Sequence, residues 1–330
     1  MKAITYKKYG SPEVLRLTEV ETPVFQDNEV LIKVHAAGVT LFDCWMRSGH
    51  APPGFKTLMR LSSGFAPKQP ILGTELSGEI AAVGKDVTRL KEGDPVYAFT
   101  GMKLSAHAEY ICLPEESVAQ KPNNATYEEA GAILQGALTA WYFLRRANIQ
   151  PEQKVLIFGA SGGVGGYAVQ LAKHYLKADV TGVCSSAKMD YVRSLGADQV
   201  IDYTQEDFTK NGKVYDVVFD TVGKTPVFRT KKSLRDNGWY LLDTFGLPMF
   251  IQLMWLSKRS NLNFEYGLLE ETTDDLLFIK ELVETDVIKP TIDRSYPFEQ
   301  AADAHRYVES GQKMGNVVIT ITRKSKDLLL

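Results

Sequence analysis

Five glycines fall within eight positions of this 330-residue chain: Gly159, Gly162, Gly163, Gly165 and Gly166. A glycine carries no Cβ, so backbone built from it can approach a diphosphate closely. At a helix start the free N–H groups and the positive end of the helix dipole then hold the anion. An ordinary tight turn is the competing reading of such a cluster, and the flanking residues decide between the two. Val155 to Phe158 is a short apolar run of the kind that forms a buried parallel strand. After the glycines, Val164, Ala168, Leu171 and Ala172 recur at helical spacing. Strand, glycine turn and helix in that order begin a dinucleotide-binding βαβ unit.

The kind of dinucleotide is written about 20 residues on, where such folds place an acidic residue against the ribose hydroxyls of NAD. Here Val180–Cys184 runs into Ser185, Ser186 and Lys188 with no carboxylate. A 2′-phosphate is then not repelled, and hydroxyls with an ammonium can bind one. Tyr203, at the end of the next apolar run, adds a hydroxyl or a ring near the adenine. The pattern favours NADPH over NADH. The alternative is that the two serines cap the next helix and Lys188 is solvated.

Other residue types promise less chemistry. Cys44, Cys112 and Cys184 are odd in number and far apart, which fits a reducing compartment without disulfides. His35, His50, His107, His174 and His305 show no paired metal spacing and read as surface or core histidines. Glu128 and Glu129 stand in the first turn of a predicted helix, where they complement the dipole. Trp45, Met46, Tyr142, Phe245 and Met249 are candidates for an apolar pocket wall, with plain core as the competing reading.

The elements that must position these groups fall into two patterns. Residues 1–121 read as β-rich, with alternating runs at Ala3–Tyr6, Val30–Ala36, Gly78–Val83, Pro95–Phe99 and Ala108–Leu113. A loop-like stretch from Gly49 to Pro70, with one helical turn at Thr57–Leu61, reads as a flap. Thr126–Arg146 opens as a capping box and continues as one helix. Strands then alternate with helices: strands at 154–158, 180–184, 199–202, 215–220 and 238–243, helices at 163–176, 186–195 and 226–235, and a possible sixth strand at Asn261–Tyr266. That alternation specifies a doubly wound parallel sheet over residues 122–270. Residues 271–330 add helices at Thr273–Thr285 and Phe298–Ser310 and a strand at Val317–Thr322, expected to return to the first domain. The tail from Arg323 looks frayed.

A formal charge of −2 with scattered cations argues against a nucleic-acid partner. The longest apolar run, Leu247–Leu256, is half the ~20 residues of a membrane span. It reads as a dimer surface, a pocket lid or a shallow membrane contact, in that order. With no apolar leader at Met1–Thr5, the expected location is cytoplasmic.

Taken in order, several stretches resemble the zinc-free, quinone-oxidoreductase-like branch of the medium-chain dehydrogenase/reductase superfamily. They are Ala36–Val39, Gly73–Glu79, Glu92–Asp94, Ala108–Tyr110, Leu138–Ala140, Gly159–Gly165, Leu195–Asp198 and Asp220–Gly223. The resemblance implies a split GroES-like β domain with an inserted Rossmann domain, and a homodimer. It implies that Ser161, Gly162, Gly163 and Val164 hold the pyrophosphate. Ser185, Lys188 and Tyr203 match positions near the 2′-phosphate, Val222 and Phe245 the nicotinamide half, and Thr139 a position close to the nicotinamide. Zinc-dependent members of the superfamily have Cys and His where this chain has Thr40 and Thr74, and hydroxyls are poor zinc ligands. Asp43 and Glu75 then read as structural hydrogen-bonding carboxylates, and no metal is expected. Many zinc-free relatives carry Asn at the position of Thr40 and Lys at that of Asn316.

Without a Lewis acid, reduction of a simple ketone lacks its main stabiliser for the developing alkoxide. A conjugated acceptor spreads that charge into an enolate or hydroquinone anion, which hydrogen bonds can stabilise. The expected activity is therefore NADPH-dependent reduction of a quinone or α,β-unsaturated carbonyl. Thr40 is the candidate donor to the carbonyl oxygen, against a reading in which its hydroxyl bonds locally. A zinc-free alcohol or carbonyl dehydrogenase and a non-catalytic NADPH-binding protein are the alternatives.

Overall fold

A computed structural model describes residues 1–50, 64, 66–267 and 272–321. The expected flap lies largely outside the described residues, and so does the tail from Arg323. The β-rich half begins with a ribbon of β1 (Lys2–Thr5) and β2 (Arg16–Glu19). Its spine is β3 (Glu29–Val39), whose alternate side chains Val30, Ile32 and Val34 are buried as the strand period requires. Thr40 and Asp43 form a capping box that turns the chain from β3 into α1 (Leu41–Ser48), and Gly49 closes that helix in the left-handed region. β4 (Glu75–Val83), β5 (Pro95–Phe99), β6 (Tyr110–Pro114) and β7 (Val118–Gln120) complete the first pass.

The expected single helix from Thr126 to Arg146 is two: α2 (Tyr127–Ala130) and α3 (Leu134–Arg146). The interruption falls at Gly131, where a Cβ would stand 2.8 Å from the Ala36 carbonyl oxygen of β3. Alternation follows with β8 (Lys154–Phe158), α4 (Gly163–Gln170, continued by a π turn), β9 (Asp179–Cys184), α5 (Met189–Ser194), β10 (Gln199–Asp202), β11 (Tyr215–Asp220), α6 (Val227–Thr230), β12 (Leu234–Leu242), α7 (Leu247–Ser257) and β13 (Asn263–Tyr266). β12 starts earlier than its expected 238–243, because Leu234 pairs with Tyr215 ahead of a bulge. The six strands form one parallel sheet in the order β10-β9-β8-β11-β12-β13, numerically 3-2-1-4-5-6 for the inserted unit. The sixth strand is therefore real.

The last segment divides its allegiance. α8 (Thr273–Glu284) was expected on the β-rich half, yet its Leu276, Ile279, Leu282 and Val283 are buried in the core formed by α3, α4 and the parallel sheet. Only beyond it does the chain return, through β14 (Ile292–Pro297), α9 (Ala301–Glu309) and β15 (Asn316–Thr320). β15 pairs with Ala36–Val39 of β3, beside β6 on Glu29–Lys33, giving a seven-stranded sheet. No helix of the described residues is long and apolar enough to cross a membrane.

Candidate functional site

The parallel sheet reverses direction of build between β8 and β11, and open sheets bind ligands at the carboxyl ends of strands there. The glycine turn leaves β8 at this point. Gly159 has φ +84°, and a Cβ on it would stand 2.5 Å from both Thr221 Oγ1 and Val222 Cγ2 of the loop after β11. On the inner side a Cβ on Gly165 would stand 2.1 Å from the Gly159 carbonyl oxygen. The outer side is different: at Gly162 a Cβ would meet nothing but Gly159 O, at 3.3 Å. Gly162 is the N-cap of α4, with no side chain capping it. The N–H groups of Gly163, Val164 and Gly165 are thus the unpaired donors of a helix start. Ser161, Gly162, Gly163 and Val164 come together around that open face, which fits a dinucleotide pyrophosphate.

Asp220 organises the facing loop. Fully buried at the end of β11, it accepts from the backbone N–H groups of Val222 (2.9 Å), Gly223 (2.8 Å), Lys224 (3.1 Å) and Thr225 (2.9 Å) and from Thr225 Oγ1 (2.6 Å). Val222 is thereby held exposed beside the glycine turn. Phe245 lies beyond β12 in a trio with Phe250 (6.0 Å between ring centroids) and Tyr266 (5.5 Å). Next to Asp220, burial and that neighbour's charge push the Asp243 carboxyl up to about 7. The sequence reading had missed Asp243.

Across β9 and β10 lies the expected adenosine end. Tyr203 is exposed, its N–H donates to Cys184 O, and its ring stands 6.2 Å from that of Phe158. No carboxylate follows β9, as the sequence indicated, but Asp202 of the adjacent β10 faces Cys184 across the ladder. Asp202 accepts from the hydroxyls of Ser186 and Thr204. The sequence signal for it was present, one strand further along than expected. Ser185 makes no side-chain cap bond. Lys188 is only partly exposed, and its Nζ donates to the carbonyls of Gly311 (2.8 Å) and Lys313 (2.9 Å) in the loop before β15.

On the β-rich side the structure places Thr40 differently from the expected outward donor. A hydroxyl has one proton, and Thr40 gives it to Asp43 Oδ2 at 2.6 Å while accepting from Asp43 N. Asp43 Oδ1 takes the Gly73 N–H (2.9 Å), and Glu75 Oε2 takes the Gln135 N–H at the start of α3 (2.8 Å). Both carboxylates hold backbone, as expected. Burial pushes the Glu75 carboxyl up to about 8. Thr139 is buried and donates to Gln135 O at 2.6 Å, within its own helix. Three of the candidate wall residues pack against three different cores: Met46 on that of the β-rich half, Tyr142 in that of α3 and α4, and Met249 on the parallel-sheet core that holds Leu156, Val218 and Tyr240.

His107 and His305, 198 positions apart, meet in the β-rich interior with ring centroids 5.9 Å apart, and His305 Nδ1 lies 3.4 Å from Cys44 Sγ. Among the described residues no three His, Cys, Asp or Glu side chains stand together so as to hold a metal. Thr74 Oγ1 is buried without a partner. A donor set of hydroxyls at Thr40 and Thr74 does not fit zinc.

Comparison with known proteins agrees with this construction. Residues 26–123 match the family described as alcohol dehydrogenase GroES-like domain, and residues 195–319 the family described as zinc-binding dehydrogenase. The 2-methylene-furan-3-one reductase of Solanum lycopersicum is 32% identical over 97% of this chain and 79% of its own length. An NADPH-dependent alkenal/one oxidoreductase, chloroplastic, of Arabidopsis thaliana is 31% identical with the same coverage. The crystal structure of Escherichia coli quinone oxidoreductase complexed with NADPH superposes with a TM-score of 0.85 at 28% identity, covering 97% of this chain and all of that one.

Proposed function

This chain belongs to the quinone-oxidoreductase-like branch of the medium-chain dehydrogenase/reductase superfamily, and we propose that it is an NADPH-dependent, zinc-independent reductase of quinones or α,β-unsaturated carbonyls. The observation that carries the reading is the uncapped glycine turn with an open outer face at the switch point of a 3-2-1-4-5-6 sheet.

NADPH, when bound, supplies a hydride to the acceptor. The N–H groups of Gly163 and Val164, with Ser161 and Gly162, would hold its pyrophosphate, and Tyr203, Ser185 and Lys188 the adenosine end. Asp220 fixes Val222 against the glycine turn, so the nicotinamide side of the cleft is preorganised by a carboxylate that touches only backbone and Thr225. The donor set at Thr40 and Thr74 supports reduction without a metal. It favours acceptors whose conjugation spreads the developing charge.

The three unpaired cysteines suit a reducing compartment such as the cytoplasm. A homodimer is supported by β13, which leaves one edge of the parallel sheet open beside the exposed Ile251, Met254 and Trp255 of α7. Light scattering that gives a monomer mass at micromolar concentration would remove the dimer.

Purified protein incubated with NADPH and a naphthoquinone, an enal, an enone and a plain ketone tests the activity. Loss of nicotinamide absorbance with the conjugated acceptors alone is the expected result. Turnover of the plain ketone would move the reading to a carbonyl dehydrogenase, and stoichiometric zinc in a metal assay would overturn the metal-free mechanism.

A further inference from the structure

The apolar run Leu247–Leu256 forms most of α7, and the two sides of that helix differ in their surroundings. Leu253 and Leu256 are buried in one cluster with Leu234 and Tyr240 of β12. On the opposite side Leu247, Ile251 and Met254 recur four and three residues apart, so they project along one line of the helix. All three are exposed, Ile251 by 58%, and so is Trp255 beside them. A surface helix ordinarily carries charged or polar residues on that side. Phe228 of α6 is exposed too and meets Trp255 edge to face, with ring centroids 5.5 Å apart. The apolar patch therefore spans two helices on one face of the parallel sheet.

Its rim is basic. Residues 224–259 carry seven Lys or Arg against two Asp, in a chain whose formal charge is −2. Arg229 and Arg235 are paired with Asp207 and Asp216. Lys231 and Lys232 directly after α6, and Lys258 and Arg259 directly after α7, are exposed and make no ion pair with a described residue. Lys258 continues the line of Met254 one turn on, and the Arg259 guanidinium lies 4.2 Å from the Trp255 ring centre. An apolar row that ends in cations, with a Trp at its side, suits a helix lying between lipid headgroups and acyl chains. At about 16 Å in length α7 can lie in such a boundary but not cross it. A second copy of the chain suits the face less well, because a two-fold contact sets one basic rim against another. A ladder through β13 would extend the sheet in its own plane and leave this outward face uncovered.

We propose that the outer face of α7, together with Phe228 and the cations that follow α6 and α7, docks the protein on an anionic phospholipid bilayer. Leu247, Ile251, Met254 and Trp255 enter the headgroup boundary, and Lys231, Lys232, Lys258 and Arg259 meet the lipid phosphates and carboxylates. The inference goes beyond the reductase reading and does not depend on it.

Vesicle flotation of the intact chain, of I251E/M254E and of K258E/R259E provides the test. Wild type is expected to float with phosphatidylcholine vesicles holding about 30% phosphatidylserine, and at least about tenfold less with phosphatidylcholine alone. About 0.5 M KCl should release most of it, since attraction between exposed cations and headgroups is screened at that ionic strength. I251E/M254E is expected to lose binding to both kinds of vesicle, and K258E/R259E to fall to the level seen on phosphatidylcholine alone. These positions are exposed, so both variants should melt like wild type, and I251S/M254S replaces I251E/M254E if the latter does not fold. Wild type that stays unbound with the anionic vesicles overturns the proposal. So does a folded I251E/M254E that floats as wild type does. A light-scattering mass that halves in I251E/M254E, with no flotation of wild type, would give the face to a second copy instead.

Discussion

Thr40 and Asp43 share a hydroxyl proton across 2.6 Å, and that bond is returned by the backbone N–H of Asp43 to the same hydroxyl. The pair therefore belongs to the start of α1 rather than to the substrate. T40V is expected to lower stability by about 1 kcal/mol, the usual cost of a lost cap, and T40S to behave as wild type. Urea midpoints check the first effect. A fall in kcat beyond about a hundredfold in folded T40V would show that the hydroxyl also serves the reaction, since removing one oxyanion donor has that order of effect.

Two glycines three positions apart, Gly162 and Gly165, should respond in opposite ways. G165A drives a methyl to 2.1 Å from a backbone oxygen and is expected to destabilise the fold by about 2 kcal/mol or more. G162A meets no protein atom closer than 3.3 Å, so its melting temperature should stay near that of wild type. Its methyl fills the face offered to the coenzyme, and the NADPH dissociation constant should rise by at least about tenfold. Unaltered NADPH affinity in G162A would place the pyrophosphate elsewhere.

Asp220 accepts five hydrogen bonds with no exposure, so D220A leaves buried donors unsatisfied. A loss of about 3 kcal/mol is expected by chemical denaturation. Coenzyme affinity should fall with it, because the loop carrying Val222 loses its anchor.

Glu75 should make stability fall with rising pH. Its folded carboxyl is pushed up to about 8 by burial, against about 4.3 for a solvated glutamate, so between those values the folded state binds more protons than the unfolded one. The contribution is complete below about pH 4.3 and is lost as pH climbs through about 8, with a slope of up to about 1.4 kcal/mol per pH unit. E75Q keeps an acceptor for the Gln135 N–H and removes the titration. Its urea midpoint should therefore gain on that of wild type as pH rises from 5 to 9. Parallel pH profiles for the two proteins would refute the assignment.

Asp202 places a carboxylate near the adenosine end that the residues after β9 lack. D202N is expected to shift the ratio of NADPH to NADH affinity toward NADPH by a few fold, through loss of repulsion at a 2′-phosphate. An unchanged ratio would mean that Asp202 faces away from the ribose.

Much of this arrangement was legible in the chain because its signals are local. The glycine turn announces itself within eight residues, and β8, β10 and β11 begin and end where their apolar runs do. What escaped was set by contacts between distant residues. Gly131 breaks a helix since Ala36, nearly a hundred positions earlier, needs the space. The apolar stripe of α8 states that the helix is buried but not against which half. The meeting of His107 with His305 carries no spacing that could reveal it.

β15 lies between β14 and β3, inside the seven-stranded sheet, and its partners on β3 precede it by about 280 positions. Synthesis must therefore reach Thr320 before the first half can close its ladder. The inserted parallel sheet is complete much sooner, once β13 has emerged. During synthesis the leading strands wait with an unpaired margin, a state prone to self-association and served by chaperones. Truncation at residue 315 would leave that margin permanently open.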